Sequence, residues 1–241
     1  MNSIKLSPRL LTAASMVPPD SHVIDVGTDH AYLPIYLLLS GKVRSASASD
    51  INEGPIAAAR IQEALAALAD PAVFAEKYGV AERLELYLSD GLKECNVSAK
   101  YFNCIIICGM GGELISSIIE NTPEIKHPGT SFVLQPMTRA EQLRLYLSEN
   151  GFSIKDEKLV RDSGKIYQCF SAEYTGKTYS LSLAQLLCGP IIMQKYHSDP
   201  LRKEFIHSTI ANLQKIADGK SCSGAPNDKE KMLIGELSAL I

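Results

Sequence analysis

The sequence predicts an α/β protein built on a doubly wound, mostly parallel sheet, with a pair of helices appended to it. Three observations predict this. Short apolar, β-branched runs alternate with helical segments, the order from His22 onward being strand, helix, strand, helix. The ends of these runs carry acids and glycines, in Asp25-Val26-Gly27, Ser89-Asp90-Gly91 and Gly109-Met110-Gly111-Gly112, at the sheet edge where ligands sit in folds of this class. After Glu173 the strand-like runs stop, and apolar residues recur at helical spacing on a charged background.

Each element has a local reason. Ser7 stands as an N-cap before Pro8, so a short helix to Met16 precedes the first strand, and Pro18-Pro19 ends it. His22 to Val26 reads as a buried strand, Gly27 as a tight turn, and Tyr32 to Leu39 as a helix closed by Gly41. Ser45 to Ser49 is a strand of small residues ending in Asp50. Asn52-Glu53-Gly54-Pro55 then opens an alanine-rich helix from Ile56 to about Leu68. Leu84 to Leu88 alternates as a third strand. Phe102 to Cys108 is the most apolar run, expected as the central strand buried on both faces, with a helix from Glu113 to Ile119 after the glycines. Ser131 to Leu134 is a strand ending in Gln135-Pro136, and a helix from Arg139 to about Asn150 is closed by Gly151. Phe152 to Val160 and Lys165 to Ala172, joined across Asp162-Ser163-Gly164, read as an antiparallel pair finishing the sheet.

In the last part, Ser180 to Ile192 is apolar with a break at Gly189-Pro190. Leu201, Phe205, Ile210, Leu213 and Ile216 form a helical stripe, Lys220 to Asn227 a polar loop, and Met232, Leu233, Leu237 and Leu240 mark a last helix. An antiparallel helical hairpin is expected.

Composition bounds the function. At 241 residues the chain can bury one core plus an appendage, and 46% apolar with 21% charged residues is ordinary for a folded domain. The 24 basic and 27 acidic residues give −3, so any nucleic-acid surface must come from local clustering. Six cysteines stand singly, which points to reduced thiols in a cytoplasmic protein, with Cys104 and Cys108 packing as small apolar residues. No secretory leader is expected, and no apolar stretch is long enough to span a bilayer. The five histidines are scattered, so no metal site is expected.

The first turn narrows the chemistry. A dinucleotide site uses G-x-G-x-x-G, whereas this turn has only Gly27, and Asp29 would repel a pyrophosphate. A cofactor with a positive centre and no phosphate fits better, and S-adenosyl-L-methionine (SAM) carries a sulfonium; the alternative is an ordinary turn with two solvated acids. Asp50 is placed to accept hydrogen bonds from ribose hydroxyls, or else it caps the next helix. Asp90 beside Gly91 could take an adenine amino group, or it makes a type I turn. Three glycines in four positions at Gly109 to Gly112 imply close approach to the backbone, by a ligand or by a packed helix. The spacing of Asp50 and Asp90 with the terminal hairpin resembles the seven-stranded, Rossmann-like class I SAM-dependent methyltransferase fold more than a dehydrogenase.

Leu6-Ser7-Pro8-Arg9-Leu10, the run Asp25 to Pro34, Asn52-Glu53-Gly54-Pro55, Ser89-Asp90-Gly91-Leu92, Gly109-Met110-Gly111-Gly112 and Leu134-Gln135-Pro136 together resemble the bacterial TrmK family over nearly the whole chain. These are tRNA (adenine-22, N1)-methyltransferases with a class I methyltransferase domain and a C-terminal helical, coiled-coil-like domain. The resemblance implies domains over 1–173 and 174–241, SAM as cofactor and tRNA as partner, with no obligate protein partner inferred. Two departures are the region 66–79, which looks longer than usual, and Asp50, where related sequences often carry Glu.

The resemblance also implies roles. Asp25, Gly27, Asp50, Ile51, Asp90, Gly91, Gly109, Met110 and Gly111 would hold the cofactor. Asp29, His30 and Tyr32 would face the entering adenine. Gly112, Gln135 and Pro136 would border the entering substrate; from charge alone, the cations Arg9, Arg139 and Arg161 are candidates to contact tRNA. Adenine N1 attacks through an in-plane lone pair without deprotonation, so positioning supplies most of the acceleration. Asp29 near N6 would stabilise the positive charge that develops, as an electrostatic group or a base, with His30 as the alternative base and Tyr32 a stacking surface. Further phosphate candidates are Lys5, Arg144, Lys155, Lys158, Lys165, Lys195, Arg202 and Lys203. A small-molecule methyltransferase would share the sheet without needing the basic rim, and a non-catalytic RNA-binding protein would need the rim without the acids.

Overall fold

The computed structural model describes residues 5–28, 31–51, 80–97, 101–195 and 199–241. The helix expected over 56–68, the motif at 52–55 and the long region 66–79 lie outside the described residues. α1 (Pro8–Met16) starts where expected: the Ser7 side chain accepts from the Leu10 amide and proline takes the first turn. β1 (Ser21–Val26), α2 (Tyr32–Leu39), β2 (Val43–Asp50) and β3 (Leu84–Leu88) follow in order.

β4 (Cys104–Gly111) is the central strand, as its apolarity predicts, but it runs three residues further than Cys108. β5 (Ser131–Thr138) is also longer than expected, because Met110 pairs with Pro136 and Gly111 with Thr138 across register shifts. Proline fits such an irregularity because it has no amide to donate to the ladder. α3 (Gly112–Glu120) lies between β4 and β5, and α4 (Ala140–Glu149) follows β5. β6 (Phe152–Asp162) and β7 (Lys165–Tyr174) form the expected antiparallel pair, turning through Ser163 and Gly164, both with positive φ.

The sheet has seven strands in the order β3-β2-β1-β4-β5-β7-β6, parallel except for β7, which lies antiparallel between β5 and β6. Alternate residues of the central strands point to opposite faces. Val23, Cys104, Ile106 and Val133 pack with Leu33, Leu37 and Leu38 on the α1–α2 side. Ile24, Ile105, Ile107 and Leu134 pack with Ile115, Ile119, Leu143 and Leu147 on the α3–α4 side.

The chain then forms α5 (Leu183–Cys188), α6 (Pro190–Lys195), α7 (Pro200–Cys222) and α8 (Asp228–Ser238). α7 and α8 pack together, and α5 touches both. Their apolar cluster comprises Ala184, Cys188, Ile206, Leu213, Leu233 and Leu237. Two expectations are corrected here. α7 continues to Cys222, which shortens the polar loop, and its buried stripe is Arg202, Ile206, Leu213 and Ala217, while Ile216 is exposed.

Two cations expected at phosphates are in the interior. Arg144 is wholly buried: its Nε donates to Glu157 at 2.7 Å, one terminal nitrogen reaches the Leu186 carbonyl at 2.8 Å, and the guanidinium lies over Phe170. Glu157 also accepts from the Ile191 amide at 2.8 Å, so one ion pair ties α4 and β6 to α5 and α6. Arg202 donates to the carbonyls of Ile192, Met193 and Leu240, each at 3.0 Å, joining α6 and the chain's last residues to α7. Among the described residues no helix is long and apolar enough to cross a membrane.

Candidate active site

The carboxyl ends of β1, β2, β4 and β5 open into a cleft of about 560 Å³, walled on one side by Ser7, Arg9 and Leu10 of the α1 region. β1 and the turn after it contribute Asp25, Gly27 and Thr28, and α2 contributes Tyr32 and Leu33. Asp50 and Ile51 enter from β2, Cys108, Gly109 and Met110 from β4, and Gln135 and Met137 from β5.

The first turn is shaped by Gly27, whose φ is +72°, and an added Cβ there would stand 2.0 Å from Met110 Cε. The amides of Gly27 and Thr28 both donate to the Ser49 carbonyl, at 2.8 and 3.0 Å. They are therefore committed to β2 and do not form a phosphate cradle, in keeping with the missing glycines. The glycines after β4 divide their duties. Gly109, at φ +80° with open space beside it, lines the cleft. A Cβ on Gly111 would press on Thr138 Oγ1 at 3.3 Å, and one on Gly112 would strike the Arg139 carbonyl oxygen at 2.2 Å. Gly112 is buried where α3 and α4 begin side by side, so helix packing accounts for it.

Burial pushes the Asp25 carboxyl up to about 7; a hydrogen bond with Thr28 opposes the shift and the Asp50 carboxylate adds to it. Burial also raises the Cys108 thiol well above its ordinary range, with Asp25 contributing, so it stays protonated at neutral pH. Arg9 is fixed at the rim: its Nε donates to Asp162 at 2.8 Å and its guanidinium lies 4.8 Å from the Tyr167 ring centre. That contact holds the Asp162 carboxyl below its usual range. Gln135 is 1% exposed; its Nε2 donates to the Pro136 carbonyl at 2.9 Å, while its Oε1 accepts no hydrogen bond among the described residues.

The cleft thus gathers Arg9, Asp25, Gly27, Tyr32, Asp50, Ile51, Gly109, Met110 and Gln135 of the expected site residues. Asp90 and Gly91 lie just beyond the end of β3, where Asp90 pairs with Lys93 and the Gly91 carbonyl accepts from Ser49 Oγ at 2.9 Å. Pro136 is buried in β5. Arg139 is exposed at the start of α4 beside Glu141, and Arg161 on β6 pairs with Glu204 of α7. Asp29 and His30 lie outside the described residues. Sequence reasoning missed Ser7, Leu10, Thr28, Leu33, Cys108 and Met137 as lining. Cys108 carried a signal, since it is the last residue before the glycines of a strand that ends at the ligand edge.

A seven-stranded sheet with one antiparallel strand inserted next to its edge, and an acid-bearing cleft at its carboxyl edge without a phosphate cradle, defines a class I SAM-dependent methyltransferase. Residues 6–170 match the methyltransferase-domain family. The chain is 31% identical over 210 residues to the tRNA (adenine(22)-N(1))-methyltransferase of Bacillus subtilis, covering 84% of this chain and 81% of that protein. The crystal structure of the B. subtilis M1A22 tRNA methyltransferase TrmK superposes with a TM-score of 0.76 at 28% identity, over 98% of this chain and 95% of that one. A Streptococcus pneumoniae protein solved in complex with SAM gives 0.75 at 26% identity, over 97% and 99%. The chain belongs to the tRNA (adenine(22)-N(1))-methyltransferase family, TrmK.

Proposed function

We propose that this protein methylates N1 of adenine 22, in the D arm of tRNA, with SAM as methyl donor, and that it works in the cytoplasm. The observation that carries this reading is that the likeness to the B. subtilis enzyme runs through the C-terminal helices as well as the sheet, over 98% of the chain. A methyltransferase acting on small molecules would need only the sheet. The division into a catalytic part, 1–173, and a helical part, 174–241, belongs to the same reading.

The cleft suits the cofactor on its own chemistry. Asp25 has a carboxyl poised near neutrality, so a positive group beside it favours the ionised form, and Asp50 stands on the neighbouring strand end for the ribose hydroxyls. When bound, SAM supplies an electrophilic methyl group on a sulfonium. Asp25, Gly27, Asp50, Ile51, Gly109 and Met110 hold it in this reading, with Asp90, Gly91 and Gly111 at its outer edge. Tyr32, half-exposed at the start of α2, offers a face for the extruded adenine. Asp29 is the group assigned to stabilise the charge that N1 methylation creates, with His30 as the alternative base. Arg9, Arg139 and Arg161 meet tRNA phosphates, while Gln135 lies under the base and Pro136 and Gly112 support that wall from behind, through the β4–β5 pairing and the α3–α4 contact.

Transfer from labelled SAM to a tRNA transcript with adenine at position 22, and to the same transcript with guanine there, tests the reading. Transfer to the adenine transcript alone is expected, and it should fall at least about a hundredfold in Asp29→Ala while SAM still binds. Transfer to neither transcript by a protein that binds SAM tightly would overturn it.

A further inference from the structure

The Gln135 side chain carries an unspent hydrogen-bonding group in the wall of the cleft. Gln135 is 1% exposed, lines the cleft, and pairs across the sheet with Cys108, one residue before the open Gly109. Its Nε2 is fixed by the Pro136 carbonyl at 2.9 Å and faces Met137 Sδ, so the amide is oriented with Oε1 as the spare end. Oε1 is buried and accepts no hydrogen bond among the described residues. A buried acceptor left unpaired is destabilising, and such groups mark places where something other than folding fixes the residue.

We propose that Gln135 Oε1 accepts a hydrogen bond from the exocyclic N6 amino group of the target adenine and so selects adenine over other purines. This rests on the reading of the cleft as an adenine-N1 methylation site. The missing partner must be a donor, and the Watson–Crick edge of adenine presents one, N6–H, next to the attacking atom. As N1 takes the methyl group, the N1–C bond forms, the C–S bond breaks, and its electron pair stays on sulfur. The positive charge spreads over N1, C6 and N6, so N6–H becomes a stronger donor in the transition state than in the ground state. A carboxamide oxygen responds to that change without taking a proton, and a proton lost from N6 afterwards goes to solvent. Guanine would place its O6 acceptor against Oε1 and carries a hydrogen on N1, so it is refused on two counts. Purine, with hydrogen at C6, keeps a nucleophilic N1 but offers no donor.

The test pairs Gln135→Met, which keeps length and burial but removes the carboxamide, with transcripts carrying adenine or purine at position 22. Wild type should favour adenine over purine by about ten- to a hundredfold in kcat/KM. Gln135→Met should lose activity on adenine by a similar factor, lose little more on purine, and so erase the preference. Its melting temperature should be unchanged or higher, since the unpaired oxygen is gone, and its SAM dissociation constant, measured by calorimetry without tRNA, should stay within about threefold. A preference that persists in Gln135→Met overturns the proposal. So does a preserved preference with weakened SAM binding, which assigns Oε1 to the cofactor's amino group instead. Wild-type protein that binds SAM but methylates neither transcript refutes the adenine-22 reading itself, and this inference with it.

Discussion

Among single residues, Asp25 has the most measurable consequence. Its carboxyl is raised from 3.8 to about 7, chiefly by burial, so between those values the folded protein keeps a proton that the unfolded chain has released. Stability from this group therefore falls as pH rises from about 4 to 7, and the full cost of the buried carboxylate is present above 7. Asp25→Asn should match wild type in unfolding free energy near pH 4 and exceed it at pH 8, by an amount on the order of 4 kcal/mol. A stability difference that does not change with pH would refute the shift. Asp25 and Gln135 also show how residue-level reading works: the motif marked both positions, yet a buried acid near neutrality and an unpaired amide oxygen are tertiary facts. Cys108 packs against the core as its apolar strand predicts and lines the cleft as well, a second contact that apolarity alone does not show.

Elements were legible wherever local chemistry decides them. The Ser7-Pro8 start of α1, the Ser163-Gly164 turn and the centrality of β4 follow from a cap, two positive φ values and four successive fully buried residues. The ends of β4 and β5 were not, because Met110, Gly111 and Pro136 join the sheet only by pairing across a bulge. Arg144 and Arg202 were misplaced for a different reason: charge suggested the surface, while helical position put them inside. Arg144 shares the face of Ala140, Leu143 and Leu147 at helical spacing, a signal that outranks charge when partners are available. Removing one member of the Arg144–Glu157 pair should be severe. Arg144→Met should cost roughly 3–5 kcal/mol in urea unfolding, and Arg144→Met with Glu157→Leu should recover part of it, since the uncompensated buried charge is then gone. A double variant no more stable than the single would show that the pair matters through its contacts with Leu186 and Ile191.

For the molecule as a whole, a seven-stranded sheet finished by an antiparallel pair and the C-terminal helices were both readable, whereas the distribution of charge was not. Arg9 and Arg161 already hold Asp162 and Glu204, and Lys155 holds Glu173 at 2.9 Å, so basic residues alone did not reveal a tRNA face. Arg139 and Lys165 are exposed, and reversing both, Arg139→Glu with Lys165→Glu, should weaken tRNA binding and flatten its dependence on salt by about one logarithmic unit per lost phosphate contact. An unchanged salt slope would remove them from the interface. A methyl on N1 blocks the Watson–Crick edge, so it stops reverse transcription and is recovered as 1-methyladenosine after digestion. The most direct measurement is therefore primer extension, with mass spectrometry of the nucleosides, on tRNA treated with this protein and SAM. A stop at adenine 22 with 1-methyladenosine is predicted; methylated tRNA with read-through at that position, or with the methyl on N6, would contradict the account.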